Sequence, residues 1–251
     1  MFFSYDHLQF QYEPFPIGLA KPFMEESTYQ ELVDHYPSVE IFKSLPKIGS
    51  KFSLSERYNP KEYNSFIESN PGWREFHRWI KSDEFIDEIM DVLRVHHIDL
   101  GYGVPPPPAA KRLRKFIRSL GRGHIPVSTK LQSRFEFSML PAAGGHVLPH
   151  TDAPAKIVTL IVSMVHEGEW DPAFGGGTDV NRPKTNLLSF NQLNRNASFE
   201  DMDVLYTFDF TPNQGVIFIK TFNSWHSVRP MTGMNSTAMR KTLTINIEEV
   251  S

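Results

Sequence analysis

Over the first hundred residues the apolar positions recur with the period of a helix, interrupted by loops. Tyr29, Leu32, Val33 and Tyr36 fall at i, i+3, i+4 and i+7; Ser27 and Gln30 have the spacing of a capping box, and Pro37 stops the pattern. This predicts one short amphipathic helix lying on an apolar surface. A second helical stretch runs from about 71 to 94, with a break near Ser82, which caps a segment whose apolar face is Phe85, Ile86, Ile89 and Leu93. Residues 41–63 are uneven and have room for a strand or two. Four prolines at 105–108 form a stiff extended connector. In 111–120, behind them, Leu113, Phe116, Ile117 and Leu120 share one helical face while lysines and arginines take the others. A surface helix packed through its apolar stripe is favoured there over a basic docking helix, because solvated charged faces are the common case.

From about residue 129 the period changes to two. In 131–139, Gln132, Arg134, Glu136 and Ser138 alternate with Leu131, Ser133, Phe135, Phe137 and Met139. Segments 157–165, 204–210, 216–221 and 241–247 are rich in β-branched and aromatic residues and are separated by Gly, Pro and Asn turns. Many short strands with few helices between them predict a mainly β fold, a sandwich or a jelly roll. A chain of 251 residues suits one β-rich domain. The expected organisation is a mostly helical supporting part over 1–104, a connector and basic helix over 105–125, and a β core over 126–251.

Composition narrows the chemistry. There is no cysteine, so there is no disulfide framework, zinc ribbon or thiol nucleophile, and a metal site must draw on carboxylates and the 10 histidines. The 29 acidic and 26 basic residues leave a formal charge of −3, which gives no sign of a nucleic-acid partner. No run approaches the roughly 20 apolar residues of a membrane span, and the opening Met-Phe-Phe-Ser-Tyr-Asp-His meets a charge too early for a signal peptide. A cytoplasmic protein is expected, in which the triplets at Asn196 and Asn235 carry no glycosylation meaning. No oligomeric state is implied.

The most informative stretch is Pro149-His150-Thr151-Asp152. On an extended strand, residues two apart project from one face, so His150 and Asp152 are placed to grip one metal ion. His226, seventy-four residues later, is the best third ligand. Two imidazoles and one carboxylate on one face of an octahedron are the donor set of a non-haem Fe(II) centre, with three positions left open. Alone, a His-x-Asp is more often a surface pair. Arg240 strengthens the pattern: it shares a strand face with Thr242, Thr244 and Asn246, while Leu243, Ile245 and Ile247 take the other. A polar row headed by arginine suits a barrel interior holding an anion, since the guanidinium fork grips a carboxylate in bidentate fashion and Thr242 adds a hydroxyl. Lys241 is the neighbouring alternative, set aside on parity with Thr242. Arg229 lies an odd number of residues from His226 and is expected to face away.

Taken in order, Pro149-His150-Thr151-Asp152, Val158-Thr159-Leu160, Gly175-Gly176-Gly177-Thr178, Trp225-His226-Ser227-Val228-Arg229-Pro230 and Arg240-Lys241-Thr242-Leu243 resemble the Fe(II)- and 2-oxoglutarate-dependent dioxygenases. The likeness is greatest to their prolyl-hydroxylase-like branch and covers nearly half the chain, from about Leu131 onward. The resemblance implies a double-stranded β-helix, a cupin-like jelly-roll barrel, with the N-terminal helices packed on it. It implies catalytic iron on His150, Asp152 and His226, and the distal carboxylate of 2-oxoglutarate on Arg240, helped by Thr242. The implied reaction hydroxylates a C–H bond with O2, releasing succinate and CO2, with ascorbate as a reductant. Retention of Asp152 argues against the halogenating branch. Leu140 and Ser163 stand where hypoxia-type prolyl hydroxylases carry tyrosines, so a prolyl substrate is not implied. The substrate is then a small molecule or a peptide. Two other readings stand beside this one: a prolyl-type hydroxylase acting on a protein, and a non-catalytic jelly-roll binding or sensing module with a vestigial metal site.

The remaining features read more plainly. Residues 175–178 lack the lysine and spacing of a phosphate loop and predict a hairpin turn. His166, Glu167, Glu169 and Asp171 predict a solvated turn, and His96 and His97 close a helix. Arg134 and Glu136 share the face of Ser138 and either read the substrate from inside the barrel or form a surface pair.

Overall fold

A computed structural model describes residues 2–102 and 130–250. The connector at 105–108 and the basic helix at 111–120 lie outside the described residues, as does the expected boundary between supporting part and core. Helix α1 spans Glu26–Asp34 and buries Tyr29, Leu32 and Val33 as the periodicity requires. Its cap differs from expectation: Glu25 is the N-cap and accepts from the Thr28 amide at 3.1 Å, while the Ser27 hydroxyl is occupied donating to the same carboxylate. The stretch from 71 divides into α3 (Pro71–Ile80) and α4 (Asp83–Val95), with Ser82 capping α4 through a 3.2 Å bond from the Phe85 amide. A further helix over Pro60–Ser69, numbered α2, stands where only strands were expected. Its signal was present, since Pro60 occupies the first turn, where no N–H partner is needed, and Tyr63 and Ile67 stack one turn apart.

The strands are β1 (Gln9–Gln11), β2 (Ile17–Ala20), β3 (Lys43–Leu45), β4 (Lys51–Ser55), β5 (Leu131–Pro141), β6 (Val147–His150), β7 (Lys156–Ser163), β8 (Thr178–Pro183), β9 (Met202–Phe208), β10 (Gly215–Ile219), β11 (His226–Val228) and β12 (Met239–Glu249). They form two antiparallel sheets, one ordered β1-β2-β10-β7-β12-β5-β4-β3 and the other β6-β11-β8-β9. From β5 onward the chain crosses from sheet to sheet at each step except β8 to β9, which is the alternation that winds eight strands into a jelly roll. The N-terminal part is therefore not only helical. Its β1–β2 and β3–β4 pairs extend the larger sheet at both edges.

One face of that sheet carries the helices. Leu243, Ile245 and Ile247 of β12 join Phe135 and Phe137 of β5 in a core with Leu32, Trp73 and Phe85 from the helices. The opposite face of β12 turns into the barrel, so both rows of the strand are covered and the polar one lines a cavity. Tyr36, just past α1, ties the layers together, its hydroxyl donating toward the Thr242 carbonyl at 2.9 Å. Inside the barrel, Phe15, Ile17, Val180, Phe208, Val216 and Phe218 pack between the two sheets. The β3–β4 loop closes against the barrel mouth, with the His146 amide donating to Gly49 at 3.1 Å. A Cβ at Gly49, which has φ +61°, would stand 1.8 Å from the His146 carbonyl oxygen, so only glycine permits this approach. Among the described residues no helix is long and apolar enough to cross a membrane.

Candidate metal centre

His150 ends β6 and His226 opens β11, and the two are direct partners in the antiparallel register. Residues opposite each other on adjacent strands are close neighbours, and the imidazole centroids lie 4.2 Å apart. Each ring sets its Nδ1 against a backbone carbonyl two residues earlier, Leu148 and Ser224, both at 2.9 Å. Nδ1 therefore donates, and Nε2 keeps its lone pair for the cavity, the tautomer a metal requires. Asp152 completes the group. One donor atom from each of the three residues falls within 4.8 Å of the others.

Asp152 reaches this position by a route that strand periodicity does not supply. β6 stops at His150, and Asp152 lies beyond it with φ +71°, in the left-handed region that aspartate enters more readily than most residues. The turn is pinned from outside: the buried Thr151 hydroxyl donates to the Asn191 carbonyl at 2.7 Å, and the Thr151 amide to Asn194 Oδ1 at 3.3 Å. Inside, Lys156 Nζ donates to Asp152 Oδ1 at 2.7 Å and the Thr159 hydroxyl to Oδ2 at 3.0 Å. Backbone in such a region persists only where its surroundings over-determine it, as happens at functional sites.

The electrostatics favour a cation here. Burial by itself raises the Asp152 carboxyl, but Lys156 and the two imidazoles more than reverse this and hold it well below the usual carboxylate range. Burial pushes His226 down to about 3 and also lowers His150, although Asp152 opposes both shifts. At neutral pH the site thus presents two neutral imidazoles and one carboxylate. That set fits a first-row divalent metal such as Fe(II), and the side of the cavity facing it is open.

The same cavity, about 140 Å³, is lined at its other end by Arg240, Thr242, Ser138 and Leu140. Arg240 is buried and, among the described residues, forms no salt bridge. Its Nε donates to the Gly176 carbonyl at 2.5 Å and its guanidinium lies over the Phe210 ring at 4.5 Å. Burial pushes this guanidinium down to about 10. An uncompensated buried cation of this kind favours an anionic partner. The glycines at 175–177 are thus not a hairpin turn. They lead into β8 and turn the Gly176 carbonyl toward Arg240; Gly176 has φ +86°. Lys241 points the other way and pairs with Glu169, and Arg229 lies on the outer surface against Asp179 at 2.9 Å.

No family model matches the chain, and among the curated proteins no match was found. Solved structures do resemble it. A prolyl hydroxylase from Trichoplax adhaerens, in complex with a hypoxia inducible factor oxygen degradation domain peptide fragment, is 15% identical, with 93% of this chain and 83% of that one covered and a TM-score of 0.47. A Pseudomonas putida prolyl-4-hydroxylase is 12% identical over 93% of this chain and 92% of that one, also at 0.47. The epimerase SnoN in complex with Fe3+, alpha ketoglutarate and nogalamycin RO is 12% identical over 93% of this chain and 78% of that one, at 0.45. Likeness of this size assigns no chemistry to this chain, which rests on its own residues.

Of the two residues expected at the substrate side, Glu136 lines the cavity, held by Lys51 Nζ at 2.6 Å. Arg134 lies further out, half-exposed, with Glu248 Oε2 at 3.4 Å. Lys51, Lys156, Thr159 and Asn246 also face the cavity and have no counterpart in the sequence reading as site residues. For Thr159 and Asn246, strand parity carried the signal: they are cross-strand partners on β7 and β12, and Asn246 shares the face of Arg240. For the two lysines no local signal existed.

Proposed function

We propose that the protein is an Fe(II)- and 2-oxoglutarate-dependent oxygenase that hydroxylates a C–H bond of its substrate. The carrying observation is that one cavity joins a His-Asp-His donor group to a buried arginine without a salt bridge among the described residues. His150, Asp152 and His226 would hold the iron, and Arg240 with Thr242 the distal carboxylate of 2-oxoglutarate. When bound, iron and 2-oxoglutarate supply the oxidising chemistry, consuming O2, releasing succinate and CO2, and transferring one oxygen atom to the substrate. Ascorbate would serve as reductant. The chain's own part is to present two neutral Nε2 atoms, hold Asp152 ionised, and aim the anchored co-substrate along β12. Thr159 and the strained turn at Asp152 keep the carboxylate in place. Glu136 and Arg134 stand on the side away from Arg240, where the substrate would lie.

Anaerobic addition of Fe(II) and then 2-oxoglutarate should produce a visible charge-transfer band, absent in Asp152→Ala. In air with ascorbate, the parent should form succinate, which a vestigial metal site would not. No band with the parent, or undiminished metal binding by the variant, would overturn the reading.

A further inference from the structure

Five charged side chains line the cavity of the His-Asp-His group: Lys51, Lys156 and Arg240 against Glu136 and Asp152, so three positive charges face two negative ones. A divalent ion raises the excess of one to three, and a doubly charged co-substrate returns it to one. A desolvated charge is tolerated only when it is paired, so one further negative charge is called for. The surplus falls on Lys156. Its partner at 2.7 Å is Asp152, the carboxylate a metal would engage, whereas Lys51 keeps Glu136 at 2.6 Å and Arg240 faces the co-substrate end.

Lys156 also faces outward. With Lys51, Glu136 and Asn246 it borders a second pocket of about 290 Å³, so the two spaces share four wall residues. Apolar Leu45, Ile48 and Phe135 form another part of its wall, and Arg57 and Arg134 stand there with Glu56 and Glu248, the last of which pairs with Arg134. Among the described residues Arg57 forms no salt bridge; its guanidinium lies 5.4 Å from the Tyr58 ring centroid. The outer pocket thus sets Lys51, Lys156, Arg57 and Arg134 against Glu56, Glu136 and Glu248, an excess of one positive charge, and is partly apolar elsewhere.

Resting on the oxygenase reading, we propose that the substrate is a small monoanion, a carboxylate or phosphonate-like group on a short apolar body, and that Lys156 holds its charged group. Lys156 stays on Asp152 in the metal-free protein and passes to the substrate once metal and co-substrate are in place. A neutral substrate would leave this lysine without a counter-charge.

The test uses the full chain loaded with Mn(II) and saturating 2-oxoglutarate under argon, where no turnover occurs. Pentanoate, butylphosphonate and the neutral pentanamide are titrated calorimetrically. At least one anion should bind roughly ten-fold or more tighter than the amide, the scale of one charge-assisted hydrogen bond. The two anions distinguish carboxylate from phosphonate chemistry. K156M should lose the preference and K156R should regain part of it, each variant being compared at its own Mn(II) saturation. Equal binding of amide and anions, no binding of any probe, or an undiminished preference in K156M would overturn the assignment. Failure of the parent to take up Mn(II) and 2-oxoglutarate would instead remove the oxygenase reading, and this inference with it.

Discussion

Replacing Arg240 by methionine separates an arginine kept for an anion from one kept for the fold, because the two roles predict different responses without ligand. Arg240 is 5% exposed and, among the described residues, has no ion pair. Burial lowers its guanidinium from its ordinary value to about 10, which corresponds to roughly 3 kcal/mol against the charged form in the folded chain. Two contacts oppose this. The bond to the Gly176 carbonyl contributes about 1.5–3 kcal/mol, and the approach to the Phe210 face about 0.5–2 kcal/mol. The terms nearly cancel, so R240M should change the stability of the ligand-free protein by no more than about 1–2 kcal/mol. Ligand binding should respond quite differently. For the metal-loaded parent, 2-oxoglutarate at 100 times its Kd adds about 2.7 kcal/mol, roughly 5–11 °C in Tm for a chain of this size. Leaving a buried charge unpaired costs about 2–5 kcal/mol, a loss of affinity between about 30-fold and about 5,000-fold, for which a factor of about 100 is representative. The same concentration then adds only about 0.4 kcal/mol, a degree or so. Thermal melts of Mn(II)-loaded protein with and without 2-oxoglutarate measure both quantities. A large loss of stability in ligand-free R240M combined with an unchanged 2-oxoglutarate shift would refute the anion-site argument.

Other expectations follow from burial. His226 stays neutral in the fold down to about 3, whereas in the unfolded chain it takes a proton near its ordinary 6.5. Its folded value is the lower one, so the stability this contributes is present above 6.5 and is lost as pH falls toward 3, about 2 kcal/mol by pH 5. Urea melts of metal-free parent and H226Q near neutrality and at roughly pH 5 should show the variant losing less stability on acidification; equal losses would contradict the assignment. Phe137 is fully buried, with its ring 4.8 Å from Trp73 and 5.5 Å from Tyr36. F137A should therefore destabilise by about 3–5 kcal/mol, read as a lower denaturant midpoint. Ser82→Ala removes the cap of α4 and should cost about 1 kcal/mol, with faster amide exchange in the first turn of that helix.

Where the chain repeats a period over many residues, its structure could be read directly. The long β5 and β12 and the helices α3 and α4 show their buried faces through spacing alone. Short elements escaped, because three or four residues in β1, β6 or β11 contain too few repeats to declare a period. The capping box at Ser27 was a valid pattern overtaken by a neighbour: Glu25, two residues earlier and just before the helix, carries the stronger acceptor. The glycines at 175–177 were read for backbone freedom, whereas their importance lies in a carbonyl aimed at Arg240 from 64 residues away in sequence.

The amino-acid sequence by itself determined the types of donor, their order, the absence of any thiol, and the face of β12 that carries Arg240, Thr242 and Asn246. These follow from composition and from a two-residue period, both local properties. The tertiary structure alone decided that His150 stands opposite His226, since sheet register between strands so distant in sequence depends on the packing of whole strands. It alone bent Asp152 into a left-handed turn and brought Lys51 and Lys156 to the same cavity. A charge without periodic neighbours has no preferred direction until the surrounding elements close around it, as they do around Lys51 and Lys156.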